Sequence, residues 1–181
     1  MPQTIPEKDR YRLRELGKEM VEIANSPEMI KLKQDWIAHN ACRGERPMLL
    51  IEIGTFSNDV IPQFLKCESE EGRRIEWGML QEYIPHKYFK DDTVIKDYYA
   101  FGPHTWFIPF GLDVKVTHTE GLGHHFEEVL HDLEDDFDML GKSKFGHLKE
   151  SDDKNLEFYS DLFDGVMPVK MKCGSQVLSA I

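Results

Sequence analysis

The chain has 181 residues, with Lys+Arg 22 against Asp+Glu 33, a formal net charge of −11, and 40% hydrophobic and 30% charged residues. That length suits one domain with a real core, and the acidic balance argues against nucleic acid or a membrane as main partner, because such a surface repels phosphate backbones and anionic lipid. The charged N-terminal stretch does not resemble a signal peptide, and no apolar run approaches the ~20 residues that cross a bilayer, so a soluble, cytoplasmic protein is expected.

Cys42, Cys67 and Cys173 lie far apart without a CxxC pair, which points to reduced thiols and to no complete Cys-type zinc site. From Pro6 to Asn25, the residues Leu13, Leu16, Met20 and Ile23 recur on one face of a helix. "NSPE" restarts the chain, with Ser26 as N-cap, Pro27 at the first helical position and Glu28 near the positive helix end. This second helix runs to about Ala41 with Met29, Leu32 and Trp36 on one stripe. In "ERPMLLIEIGTF", Met48 to Ile53 reads as a strand buried on both faces, with Glu52 as the one carboxylate in the most apolar run. An unpaired buried charge costs several kcal/mol, roughly, so Glu52 reaches water, meets a cation or sits where chemistry is done.

A loop and short helix hold "NDVIPQFLKC", and a longer helix from about Glu68 to Phe89 turns Ile75, Met79, Leu80 and Tyr83 inward. "TVIKDYYAFG" reads as a second strand, and "HTWFIPFGLDVKVTHTEGLG" as a loop-like excursion with a short hairpin. His124 to Leu140 then follows a helical period through Phe126, Val129, Leu130, Leu133, Phe137 and Leu140. On that helix His124, Glu128, His131 and Asp135 form one stripe, nearly opposite the apolar one. They read as a solvated face without stoichiometric zinc, because a closed metal site there would lack supporting hydrogen bonds. His118 with Glu120 lies outside this helix and is left as a loop candidate. A further helix covers about Asp153 to Asp164, with Leu156, Tyr159 and Phe163 inward, and "VMPVKMKC" closes as a third strand. Strands separated by helical stretches give the α/β class.

"IKLKQDWIAHNACRGERP", "RPMLLIEIG" and "QFLKCESEEGRRIEWGMLQEYIPHKYFKDDTVIKDYYAF" resemble the uroporphyrinogen decarboxylase-like superfamily, nearest the branch grouped with corrinoid-dependent methyltransferases. The likeness covers Leu13 to about Phe101, and "DGVMPVKMK" is the best later match. It implies a (β/α)8 TIM-type barrel behind a helical extension over residues 1–45, with 46–181 as the barrel's opening part. Because such barrels take about 250 residues, the chain, ending "CGSQVLSAI" soon after a strand, is read as the incomplete N-terminal portion of a longer enzyme. The resemblance implies a small-molecule substrate and a corrinoid protein as partners, and zinc and a corrinoid-bound methyl group for the full-length enzyme, with no cofactor in this portion. An exposed strand edge predicts self-association. Two departures limit the likeness. Porphyrin decarboxylases carry an Arg-rich segment after the first strand, where "TFSNDVIPQF" has no Arg, so porphyrin decarboxylation is not expected. The zinc ligands of the methyltransferases come late in the barrel, past Ile181.

Barrel active sites lie at the C-terminal strand ends. That rule makes Glu52 and His104, in the loop "GPHTWF", the catalytic candidates, and Asp97, Tyr98, Tyr99 and Trp106 the substrate-binding ones. Glu52 is expected to share a concave site with Asp97, Tyr98 or His104. The alternative for Glu52 is a salt bridge to Lys96, Lys170 or Lys172. The competing reading of the whole chain is a non-catalytic binding or scaffold module.

Overall fold

The period of Leu13, Leu16 and Met20 produces the expected first helix: in the computed structural model, which describes residues 4–118, 123–132 and 134–173, α1 spans Glu7–Ala24 with those three side chains buried. Helix α2, Pro27–Asn40, opens as its sequence predicts, with the Ser26 hydroxyl accepting the Met29 N–H at 3.1 Å. Two 3-10 turns, Gly54–Phe56 and Ile61–Phe64, flank the one-turn helix α3, Ser57–Val60. Helix α4, Glu70–Ile84, is capped by Ser69, which accepts the Gly72 N–H at 3.1 Å. A single π turn, Pro85–Phe89, extends it and ends at Lys90 with φ 55°. Helix α5 is Lys149–Leu162.

Among the described residues six short strands make three two-stranded sheets. β1, Tyr99–Phe101, pairs in parallel with β6, Val169–Met171. β2, Thr105–Ile108, is antiparallel to β5, Lys144–His147, and β3, Val116–His118, to β4, His124–Phe126. The class is mixed α/β, and among the described residues no barrel closes. None of the described helices is long and apolar enough to cross a membrane.

The chain divides into two units, Met1–Phe101 with Asn155–Lys172, and Gly102–Lys154 with Cys173–Ile181. In the first unit most of the expected inward faces meet: Leu13 and Leu16 of α1, Ile75, Met79 and Leu80 of α4, and Tyr159 and Phe163 are buried, joined by Leu162, whereas Leu156 of α5, also expected inward, is exposed. At ~1.5–3 kcal/mol per buried large side chain, this cluster supplies the main drive for folding.

Two carboxylates organise that unit. Glu76 is fully buried, pairs with Arg12 at 2.6 Å and accepts the N–H groups of Lys66 and Cys67 at 2.8 Å each. Asp9 is also buried and accepts the Glu68 and Ser69 N–H groups, at 2.9 and 2.8 Å, and the Ser69 hydroxyl at 2.6 Å. Burial pushes the Asp9 carboxyl up, but the Ser69 hydroxyl and the two N–H groups outweigh it and hold the group below the usual range. Gly72 leaves the room this needs, since a Cβ there would come within 2.6 Å of Asp9 Oδ2. Cys67 is buried between the two clamps, and burial, with the Glu76 charge, pushes its thiol up to about 12.

Two expected elements are replaced. Met48 to Ile53 forms no strand; Leu49 and Leu50 are exposed. Its alternate N–H groups, Leu49 and Ile51, go at 2.8 Å each to the Asp92 and Asp91 carboxylates, where a strand would use a neighbour's carbonyls. Arg46 grips Asp92 from outside at 2.6 and 2.8 Å, and the Trp36 indole N–H donates to the Asp92 carbonyl at 2.7 Å. The expected helix His124–Leu140 is absent as well: β4 takes its first three residues and a 3-10 turn covers Phe137–Met139. Acidic side chains seize the backbone between. Asp132 accepts the Glu134 and Asp135 N–H groups, and Asp136 accepts those of His131 and Asp132, local bonds that compete with a helix. The stripe of His124, Glu128, His131 and Asp135 therefore does not exist. Leu133 and Glu120 lie outside the described residues. The second and third strands are shorter than expected.

Replacing Glu76 with Ala would orphan Arg12 and the Lys66 and Cys67 N–H groups, a loss of about 3–5 kcal/mol for a broken buried pair. Urea unfolding is expected to show that loss for Glu76→Ala and a smaller one for Glu76→Gln, which keeps an acceptor. A change under ~1 kcal/mol in Glu76→Ala would contradict the clamp.

Candidate functional site

The second unit follows β1 along the chain and carries the expected loop histidine. β2 and β5 pair so that Thr105 lies opposite His147, and the Leu148 N–H closes the ladder on the His104 carbonyl at 2.9 Å. His104 and His147 are thus brought to the same end of one hairpin. The first turns of α5 add Asp152, which is only 2% exposed.

Asp152 joins the two imidazoles. Its Oδ1 meets His104 Nδ1 at 2.8 Å and accepts the His104 backbone N–H at 2.9 Å, while Oδ2 meets His147 Nε2 at 2.5 Å. Both imidazoles stay about half exposed. Burial works against the Asp152 charge, but the His104 N–H and the two imidazoles outweigh it and hold the carboxyl down to about 2. An ionised carboxylate fixes the proton of neutral His104 on Nδ1 and its lone pair on Nε2; for His147 the roles of the ring nitrogens reverse. A carboxylate-anchored imidazole that meets solvent is equipped to take or give a proton.

His104 was legible as a loop residue following a strand. His147 and Asp152 were not, although "GHLKESDD" places them five apart at the mouth of a helix. The signal was the helix start itself, which falls at Lys149, so that Asp152 sits within its first two turns.

Trp106 is on β2, opposite Gly146 and 44% exposed; its indole covers that glycine so closely that a Cβ would lie 2.5 Å from the ring. The remaining candidates belong to the first unit. Glu52 is exposed and borders a cavity of about 740 Å3 with Trp36, Gln81 and Lys96. Lys96 is paired with Glu82, and neither Asp97 nor Tyr98 lines that cavity. Tyr99 is packed, with its ring 4.8 Å from Phe163 and 4.9 Å from Tyr159, and burial pushes its phenol up. Tyr98 faces the other way, flanked by Lys170 and Lys172 at 4.0 and 4.6 Å from the ring centroid, and Lys172 donates to its hydroxyl. Asp97 is exposed.

Comparison of the chain with family models, curated proteins and solved structures finds no match.

A folded-state carboxyl held near 2, against about 3.9 when unfolded, contributes stability that is complete above about 4 and is lost as pH falls through about 2. The stability gap between the wild type and Asp152→Asn should therefore narrow as pH falls from about 4 to about 2, read as urea midpoints at each pH. A gap independent of pH in that window would count against an ionised Asp152.

Proposed function

We propose that this chain is the opening part of a uroporphyrinogen decarboxylase-like methyltransferase, one that moves a methyl group between a small methylated substrate or a corrinoid protein and a thiol. The observation that carries the reading is the parallel pair β1–β6 with the end of α5 leading into β6. Tyr159 and Phe163 pack onto Tyr99, and Tyr159 also onto Phe101, the strand–helix–strand unit from which parallel α/β sheets are built. The chain leaves that unit at the C-terminal end of β1, where α/β enzymes carry their functional loops, and the excursion holds His104, His147 and Asp152. The finer reading, a complete (β/α)8 barrel around this unit, rests on the resemblance of the sequence.

Proton handling falls to the excursion. A heteroatom that loses its methyl group must gain a proton, and His104 as imidazolium delivers it from Nε2. Asp152 holds the opposite nitrogen and stabilises the charged ring before transfer. Zinc, in enzymes of this branch, supplies the activation of the acceptor thiol as thiolate. Among the described residues no group of three or more His, Cys, Asp or Glu side chains could hold a metal, so these residues do not fit that centre.

The test is methyl transfer by the protein expressed from its whole reading frame, supplied with zinc, methanol or a methylamine as donor and a thiol as acceptor, and followed by the methyl thioether formed. His104→Gln and Asp152→Asn should each lower turnover by about 100-fold or more, the usual worth of general acid–base catalysis, with the far-UV circular dichroism unchanged. A reading frame that ends at these residues and yields no transfer would favour the non-catalytic module.

A further inference from the structure

We propose that His118 and His124 form a two-imidazole site for a divalent transition-metal ion on the β3–β4 hairpin. The antiparallel register sets the two residues directly opposite each other. Their Nδ1 atoms approach to 3.0 Å, with ring centroids 4.9 Å apart and planes at 82°. Without a metal this contact is one Nδ1–H···Nδ1 hydrogen bond between two neutral imidazoles. An ion takes its place when both rings carry their proton on Nε2, because both Nδ1 atoms then present lone pairs to it.

The spacing also selects the kind of ion. With metal–nitrogen bonds of about 2.0–2.1 Å, nitrogens 3.0 Å apart subtend about 94° at the metal. That is the angle between neighbouring ligands of a square-planar or octahedral ion, whereas a tetrahedral ion would need the nitrogens at about 3.3–3.4 Å. Cu2+ and Ni2+ meet this requirement with imidazole ligands, and Cu2+ leads the affinity order. Mg2+ and Ca2+, which prefer oxygen ligands, do not.

The hairpin itself supplies an independent observation. Every residue of β3 and β4 is exposed, and a two-stranded hairpin without a buried face is marginal in water. At its open end the Glu127 N–H bonds the Lys115 carbonyl at 2.9 Å, while the last described pair toward the turn is His118 with His124. An ion held there clips the ladder where packing does not. Strand alternation puts His125, opposite Thr117, on the other face. Because no third ligand of suitable type joins the pair among the described residues, the ion keeps positions for water or for an external ligand and exchanges readily. The acidic chain, at −11, favours accumulation of the cation.

The experiment is titration of the tag-free full chain with CuCl2, NiCl2, ZnCl2 and MgCl2 by calorimetry, with electron paramagnetic resonance of the copper form. One saturable Cu2+ site is expected, with nitrogen couplings from two imidazoles, weaker Ni2+ and Zn2+ binding and no Mg2+ binding. His118→Ala and His124→Ala should each weaken Cu2+ binding at least tenfold and leave one coupled imidazole, and His125→Ala should leave both readouts unchanged. Absence of Cu2+ binding, or unchanged binding and spectra in His118→Ala, would overturn the site and leave the contact a hydrogen bond between two histidines.

Discussion

The buried Glu76 carboxylate is the constraint on which the larger unit depends. A charge with no exposed surface is tolerated only when its hydrogen-bonding capacity is filled, and Arg12 with the Lys66 and Cys67 N–H groups fills it. Those partners come from α1 and from the strap that leads into α4, so one side chain ties three segments together. Asp9 does the same from the other side, reaching from α1 to the strap's last residues and to the Ser69 cap. The apolar faces of the helices supply the drive to pack, and the two carboxylates fix which arrangement results. The same device recurs at Asp91 and Asp92, whose side chains receive the N–H groups of the apolar segment beside them.

That habit of closing backbone with carboxylates explains how much could be read in advance. Helices α1, α2, α4 and α5 followed from apolar spacing and from caps such as Ser26, because a helix satisfies its own backbone and its signal is local. Met48 to Ile53 looked like a strand because apolar content was all that could be weighed. Its partners proved to be two aspartates about 40 residues onward, and nothing in the segment itself marks them. The segment after His124 carried a helical period, but Asp132 and Asp136 captured the N–H groups a helix would have used. At the candidate site, His104 could be singled out by its place in a loop. Its link to Asp152, 48 residues on, depends on the β2–β5 register and the start of α5, which are properties of the fold.

The smaller unit inverts the usual distribution. Its one buried side chain among the described residues is the Asp152 carboxylate, while Phe107, Phe137 and Phe145 are exposed. The larger unit also exposes large apolar side chains, Ile37, Leu49 and Leu50 among them, but it buries the helix faces that form the core.

Cys67 lies between the Asp9 and Glu76 clamps. A thiol pushed up to about 12 is almost wholly un-ionised at neutral pH, and its burial keeps alkylating reagents away. It reacts only when the strap lifts from α1, so its modification rate measures how often the clamp opens without global unfolding. Cys42 and Cys173 are exposed and react on the ordinary time scale. The protein therefore carries, in its own three thiols, a clock for its most constrained joint and two references against which to read it.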